Sequence, residues 1–189
     1  MINRCSWCGE DPLYVDYHDK EWGVPLFDDT ELFECLCLEG AQAGLSWITV
    51  LRKREGYRMA FDNFDYQKIA KYSDKKLAKL IKNEGIVRHR LKIISVRQNA
   101  IAFIQIQKEW GSFSNFIWDY VDNKPVVRPD SDVPSSSDLS ERISKDLKKR
   151  GFKFVGSTII YAFMQAVGLV NDHAPDCFRY EECQKLVSG

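Results

Sequence analysis

Apolar positions along this chain recur at three- and four-residue intervals, the period of helices packed on one face. Asp28-Asp29-Thr30 can cap a helix running to about Ala41, whose apolar run from Phe33 to Leu38 ends at Glu39. Ser46 can cap another, Trp47 to about Phe61, in which Ile48, Leu51, Tyr57 and Phe61 fall at helical intervals. A short helix is predicted over Tyr66 to Tyr72, and Ser73 opens one from Asp74 to Lys82, striped by Leu77, Leu80 and Ile81. Gly85 breaks the chain. A long helix follows, roughly Arg88 to Trp110, with Leu91, Ile94, Ala102 and Ile106 among its apolar positions, then a short aromatic one from Phe113 to Val121. Asp122 to Ser137 is rich in Pro and Ser and predicts a surface connector. Asp138 to Arg150 and Ser157 to Leu169 are the last two helices, joined by the Gly151–Gly156 loop. Strand alternation is nearly absent and no repeat is seen, so the expected class is all-α.

Composition narrows this picture only a little. A chain of 189 residues, 44% hydrophobic and 13% aromatic, can bury a sizeable core as one domain or two packed lobes. The net charge is zero, which argues against a protein that coats DNA through a global field. No apolar run is long enough for a membrane span, and the start, Met1-Ile2-Asn3-Arg4-Cys5-Ser6, has no apolar signal segment. The expected location is the cytoplasm, where thiols stay reduced. The six cysteines then read as metal ligands or core residues.

The tract Leu38-Glu39-Gly40-Ala41-Gln42-Ala43-Gly44-Leu45-Ser46-Trp47 carries the first candidate chemistry. A carboxylate at the end of an apolar helix is followed by small residues and a Trp. Small residues let a ligand approach the backbone. An indole face beside a negative charge suits a flat, polar, even cationic ligand such as a nucleobase. On this tract alone, a solvated Glu at a helix end with a core Trp is the somewhat better reading, since Trp is highly buried on average.

The second constellation resembles a metal site. Cys5 and His18 lie near the start, and His173-x3-Cys177 near the end. Four Cys/His ligands make a closed tetrahedral zinc site, which is structural. It would clamp the two ends of the chain, which otherwise fray. Spacing alone leaves the ligand set open: Cys8 makes a Cys5-x2-Cys8 knuckle, so Cys5, Cys8, His173 and Cys177 form a rival set, and Cys183 is a further candidate.

Charge is local. No acidic residue occurs from Gly85 to Lys108, while Arg142, Lys145, Lys148, Lys149, Arg150 and Lys153 crowd the Gly151–Gly156 loop. Cations near phosphates release counterions, and a loop opening onto a helix offers free backbone N–H groups. This pattern describes a helix-hairpin-helix element gripping a DNA backbone. Glu141 and Asp146 dilute the patch, as in an ordinary solvated helix face.

Several segments together are much more specific. Asp11-Pro12-Leu13-Tyr14, Tyr17-His18-Asp19, Glu21-Trp22-Gly23-Val24-Pro25 and Leu38-Glu39-Gly40 with Gln42-Ala43-Gly44-Leu45-Ser46-Trp47 stand in the first third. Gly85-Ile86-Val87-Arg88-His89-Arg90, then Lys148 through Gly156, Phe163-Met164-Gln165-Ala166 and Gly168 through His173 follow in order. The chain thereby resembles the 3-methyladenine DNA glycosylase I family, the constitutive Tag type, over residues 4 to 177. The connector and the tail after Cys177 match no motif of that family.

The resemblance implies an all-α fold of the helix-hairpin-helix glycosylase type, one domain over residues 1–189 with two helical lobes, its terminal segments joined by a structural zinc on Cys5, His18, His173 and Cys177. It sets Cys8 aside. It implies a base pocket with Glu39 as catalytic residue, Tyr17 and Trp47 as its walls, and Trp7 and Tyr14 nearby; the charge pattern places the DNA backbone on Lys149, Arg150, Gly151 and Gly156, with the Gly85–Arg90 loop as the alternative. The implied activity is hydrolysis of the N-glycosidic bond of 3-methyladenine in double-stranded DNA, releasing the free base and leaving an abasic site. A monomer is expected, with no membrane partner. Two departures stand out. Phe154-Val155-Gly156 occupies the place of the family's Gly-x-Gly, and Asp172 stands near the superfamily's catalytic Asp but reads better as support for His173 or as a helix-end cap. Two other classes remain: a zinc-stabilised nucleic-acid-binding module without catalysis, and a zinc-dependent hydrolase, which would need an open metal position.

Overall fold

The computed structural model describes residues 2–128 and 133–186 and is mostly helical. The helices are α1 (Pro12–Lys20), α2 (Asp29–Gln42), α3 (Trp47–Arg52), α4 (Arg54–Ala60), α5 (Tyr66–Ile69), α6 (Asp74–Leu80), α7 (Arg90–Trp110), α8 (Phe113–Asp119), α9 (Asp138–Lys149), α10 (Ser157–Ala166) and α11 (Phe178–Lys185). Strands β1 (Val126–Val127) and β2 (Val170–Asn171) pair in parallel. The expected connector thus contains a strand; its residues 129–132 lie outside the described residues.

Capping residues start several elements as the polar pattern predicts, but Ser46, at the head of α3, caps no backbone amide and pairs its hydroxyl with that of Thr49 instead. The Asp28 carboxylate accepts from the Thr30 and Glu31 amides at the head of α2, and the Ser73 and Ser137 hydroxyls do the same for α6 and α9. The core gathers around α2 and α7. Phe33 on α2 packs edge-on against Phe103 of α7, which stacks on Phe113 of α8 at 4.3 Å. Each such buried ring contributes roughly 1.5–3 kcal/mol. The buried stripe of α7 is Ile93, Val96, Ala100, Phe103 and Ile106; Leu91, one position into the helix, is exposed.

Four differences from the periodicity stand out. The helix expected from Trp47 to Phe61 breaks at Lys53 (φ −97°, ψ 0°). The turn lets Gly56 sit on the Gly85 carbonyl, where a β-carbon would lie only 2.2 Å away. α7 begins at Arg90, two residues late, because the His89 ring caps it by accepting from the Lys92 amide. α10 stops at Ala166 rather than Leu169, since the chain must turn into β2. Helices α1 and α11 were not predicted, although Asp11-Pro12 has the form of a helix start: the Asp11 side chain accepts from the Leu13 amide and Pro12 sits at the first helical position. No helix among the described residues is long and apolar enough to cross a membrane.

Candidate active site and metal centre

Glu39 lies in the last turn of α2, a helix buried on most sides from Leu32 to Ala41. Its carboxyl is only 4% exposed and lines a cavity of about 320 Å³. Burial alone pushes its pKa up to about 8, and no hydrogen bond or ion pair among the described residues holds the charge. The other walls come from segments far apart in sequence: Trp7, Tyr14 and Tyr17 from the first twenty residues, Trp22 after α1, Trp47 at the start of α3, and Gln165 and Asp172 near the end.

The aromatic walls support one another. Trp7 meets Tyr14 at 5.0 Å and Trp22 at 4.9 Å, both edge-to-face, and Tyr17 lies 5.5 Å from Trp47. Burial, then the Glu39 charge, raises the Tyr17 hydroxyl pKa; burial, Cys8 and Glu39 raise that of Tyr14. Both hydroxyls stay protonated. The Trp47 indole Nε1 is buried and meets no acceptor among the described residues. The cavity therefore holds a carboxyl and an indole N–H that no group among the described residues satisfies. Buried polar groups are ordinarily paired, so both are free to meet a ligand that enters the cavity.

All five pocket residues expected from the sequence thus reach one cavity. Sequence reasoning missed Trp22, Gln42, Gln165 and Asp172 as cavity walls. Gln42 could have been found, since it lies three residues after Glu39 on one helix face. Asp172 caps no helix. Its Oδ2 accepts from the Tyr161 hydroxyl at 2.7 Å and the Gln165 amide at 2.9 Å, and its Oδ1 lies 3.5 Å from Arg128 Nε.

Beside this cavity, Cys5, His18, His173 and Cys177 bring four donor atoms within 4.8 Å of one another, all buried. Cys5 Sγ is 3.6 Å from His173 Nδ1, and Cys177 Sγ is 3.5 Å from His18 Nε2 and 3.7 Å from His173 Nδ1. Tetrahedral zinc with ordinary Zn–S and Zn–N bonds places S and N ligands about 3.6 Å apart. The far ring nitrogens are held as metal-bound histidines require. His18 Nδ1 faces Asp19 Oδ1 at 2.8 Å, and Arg4 grips Asp19 in turn; His173 Nε2 faces the Trp22 carbonyl at 3.0 Å. Burial lowers the His173 pKa to about 4, so the ring is neutral and able to ligate. Cys8 is turned away, its thiol donating to the Cys5 carbonyl, and neither it nor Cys183 joins the cluster. This cluster can hold a metal ion, and its four donors leave no open position.

The Gly151–Gly156 hairpin joins α9 to α10. Phe154 takes φ +56°, the left-handed conformation that favours glycine, so the turn survives the missing Gly at a cost of about 1–2 kcal/mol. Asn99 of α7 pins the hairpin by exchanging hydrogen bonds with the Lys153 amide and carbonyl, and Ser144 donates to the Val155 carbonyl. Gly40, next to Glu39, faces Phe154 closely enough that a β-carbon there would touch it at 3.4 Å. Lys149 and Lys153 are exposed. Arg150 turns back on the protein, pairing with Glu109 at 2.6 Å and Asp146 at 3.1 Å over the Phe116 ring.

Fold and site together define a mostly helical protein with an aromatic cavity lined by Glu39, beside a buried Cys/His cluster. The chain belongs to the methyladenine glycosylase family, whose family model matches residues 7–180. It is 52% identical over 180 residues to the DNA-3-methyladenine glycosylase of Haemophilus influenzae, covering 94% of this chain and 97% of that one. It is 50% identical over 182 residues to DNA-3-methyladenine glycosylase 1 of Escherichia coli, covering 95% and 97%. The 3-methyladenine DNA glycosylase I of Staphylococcus aureus, solved to explain its recognition of 3-methyladenine, superposes with a TM-score of 0.91 at 39% identity, over 95% of this chain and 97% of that one.

Proposed function

We propose that this protein is a monofunctional DNA glycosylase that removes 3-methyladenine from alkylated double-stranded DNA. The observation that carries the reading is Glu39, a buried carboxyl without a partner among the described residues, on the floor of an aromatic cavity. Its support is the 50–52% identity to glycosylases of that name.

Methylation at N3 leaves the adenine cationic and its bond to deoxyribose weak. The base is already a good leaving group, so no acid need protonate it. When the C1′–N9 bond breaks, its electron pair neutralises the departing base and the sugar is left oxocarbenium-like. Water then bonds to C1′ and loses a proton, giving an abasic site. The protein's part is to bind the flipped base. Tyr17 and Trp47 pack on the cationic ring, with Trp7 and Tyr14 completing the cage. Glu39, ionised by the arriving cation, accepts hydrogen bonds from its amino edge. Neutral adenine gains less, which gives selectivity.

The DNA backbone is assigned to the helix-hairpin-helix formed by α9, the Gly151–Gly156 hairpin and α10. The head of α10 has no side-chain cap, and a phosphate there meets its free N–H groups with Lys149 alongside. Arg150 braces the hairpin through Glu109 and Asp146. Zinc is assigned to Cys5, His18, His173 and Cys177, where it supplies a cross-link between the chain ends. The enzyme is read as a cytoplasmic monomer, one domain over residues 1–189.

Equilibrium titration of free 3-methyladenine, followed by tryptophan fluorescence, tests the pocket. Saturable binding that Glu39→Gln weakens is expected; adenine binding as tightly as 3-methyladenine would contradict the assignment.

A further inference from the structure

Between Glu39 and Trp47 the chain makes one tight turn, and a side chain from another helix holds it. After Gln42, Ala43 (φ −45°, ψ 115°) and Gly44 (φ +81°) form a type II turn, closed by the Leu45 amide donating to the Gln42 carbonyl. Such a turn points the carbonyl between its central residues away from its own hydrogen bond. The Lys92 ammonium of α7 donates to that carbonyl, Ala43 O, and to Ala41 O at 2.9 Å. It thus sits at the negative end of α2. Lys92 is half-buried and no carboxylate among the described residues pairs with it. Its stem shares a small crevice with Gly40 and with Phe154 of the hairpin. Gln42 and Trp47, on either side of the turn, both line the base cavity.

Resting on the reading that this cavity takes 3-methyladenine, we propose that Lys92 is a positioning residue for excision. It staples the Gln42–Leu45 turn to α7 and so keeps Glu39 and Trp47 at the spacing that grips the base. It touches neither base nor sugar.

Lys92→Met keeps the stem and removes the donors; Lys92→Arg restores a cation. The Met variant should weaken binding of free 3-methyladenine about tenfold and slow excision at least as much, and the Arg variant should recover most of both. Gly44→Ala reaches the same turn from the other side. Its added methyl meets nothing within 4 Å, but φ +81° strains it. It should weaken the free base similarly, and the double variant should lose little more than either single one. Unchanged free-base affinity in Lys92→Met would overturn the proposal. So would a defect confined to DNA affinity with a shallower salt dependence, which would make Lys92 a phosphate contact. If Lys92→Met does not fold, Gly44→Ala decides by the same free-base criterion. A wild-type chain that binds no 3-methyladenine would instead sink the function reading itself.

Discussion

Glu39 is an expensive residue to bury. The folded chain holds its proton up to about pH 8, whereas the unfolded chain releases it near the ordinary value of 4.5. The folded state therefore binds more protons across that window, and the stability linked to this group is present at low pH and lost as pH rises from 4.5 to 8. Glu39→Gln should thus stabilise the fold by on the order of 2–4 kcal/mol above pH 8 and by little at pH 4, measured by chemical denaturation at both. The same variant should weaken 3-methyladenine binding, the trade expected of a functional site. The proton also predicts a rate profile. The kcat/KM of excision should rise with pH and level off near pH 8, as the free enzyme's carboxyl ionises, and Glu39→Gln should flatten that rise.

At this scale the sequence was partly legible. An apolar run up to Glu39, then small residues and Trp47, suggested a base site, but a solvated helix end fitted the same letters. What decides is that α2 is wrapped by neighbours through Ala41, and burial by distant segments leaves no periodic trace. The cysteines behave alike. Cys5-x2-Cys8 has good knuckle spacing, yet the short turn at Ser6–Cys8 aims the Cys8 thiol at a carbonyl instead.

Among the elements, the hairpin shows how a turn can keep its shape without its usual residue. Phe154 holds the left-handed conformation because Asn99 and Ser144 fix the backbone on both sides. Of the two cations beside it, Arg150 pairs with Glu109 and Asp146 while Lys149 is exposed, so they should behave differently. Lys149→Ala should make the salt dependence of duplex binding shallower by about one unit, without changing stability. Arg150→Ala should lower the melting temperature by roughly 2–4 °C through loss of its two ion pairs and its ring contact, with a smaller change in salt slope. Salt titrations on an undamaged duplex, with thermal melts, separate the two. The helices flanking the hairpin were plain in the sequence because their apolar stripes are long. α1 and α11 were not, since metal ligands and site aromatics occupy the positions where a core stripe would stand in α1, and α11 is short and polar. The break at Lys53 was invisible because the Gly56–Gly85 contact that requires it is tertiary.

Across the whole molecule, the cluster and the cavity share a wall. Trp22 lines the cavity and its carbonyl orients His173; Cys5 also borders both. The chain ends meet here as well, with the Phe178 amide donating to the Asn3 carbonyl at 3.1 Å. Cys5→Ser or Cys177→Ser should therefore remove bound zinc and lower the melting temperature by on the order of 5–15 °C, while Cys8→Ser should change neither. Elemental analysis beside a thermal melt checks this; zinc lost with Cys8 and kept with His18→Ala would contradict the ligand set.

Incubating the protein with a methylated duplex and separating the released bases by chromatography tests the glycosylase activity itself. Free 3-methyladenine and abasic DNA are expected from the wild-type chain, with release slowed about 100-fold or more by Glu39→Gln, which still binds the duplex. A wild-type chain that binds the methylated duplex and releases no base would contradict that activity and leave a zinc-stabilised nucleic-acid-binding module in its place.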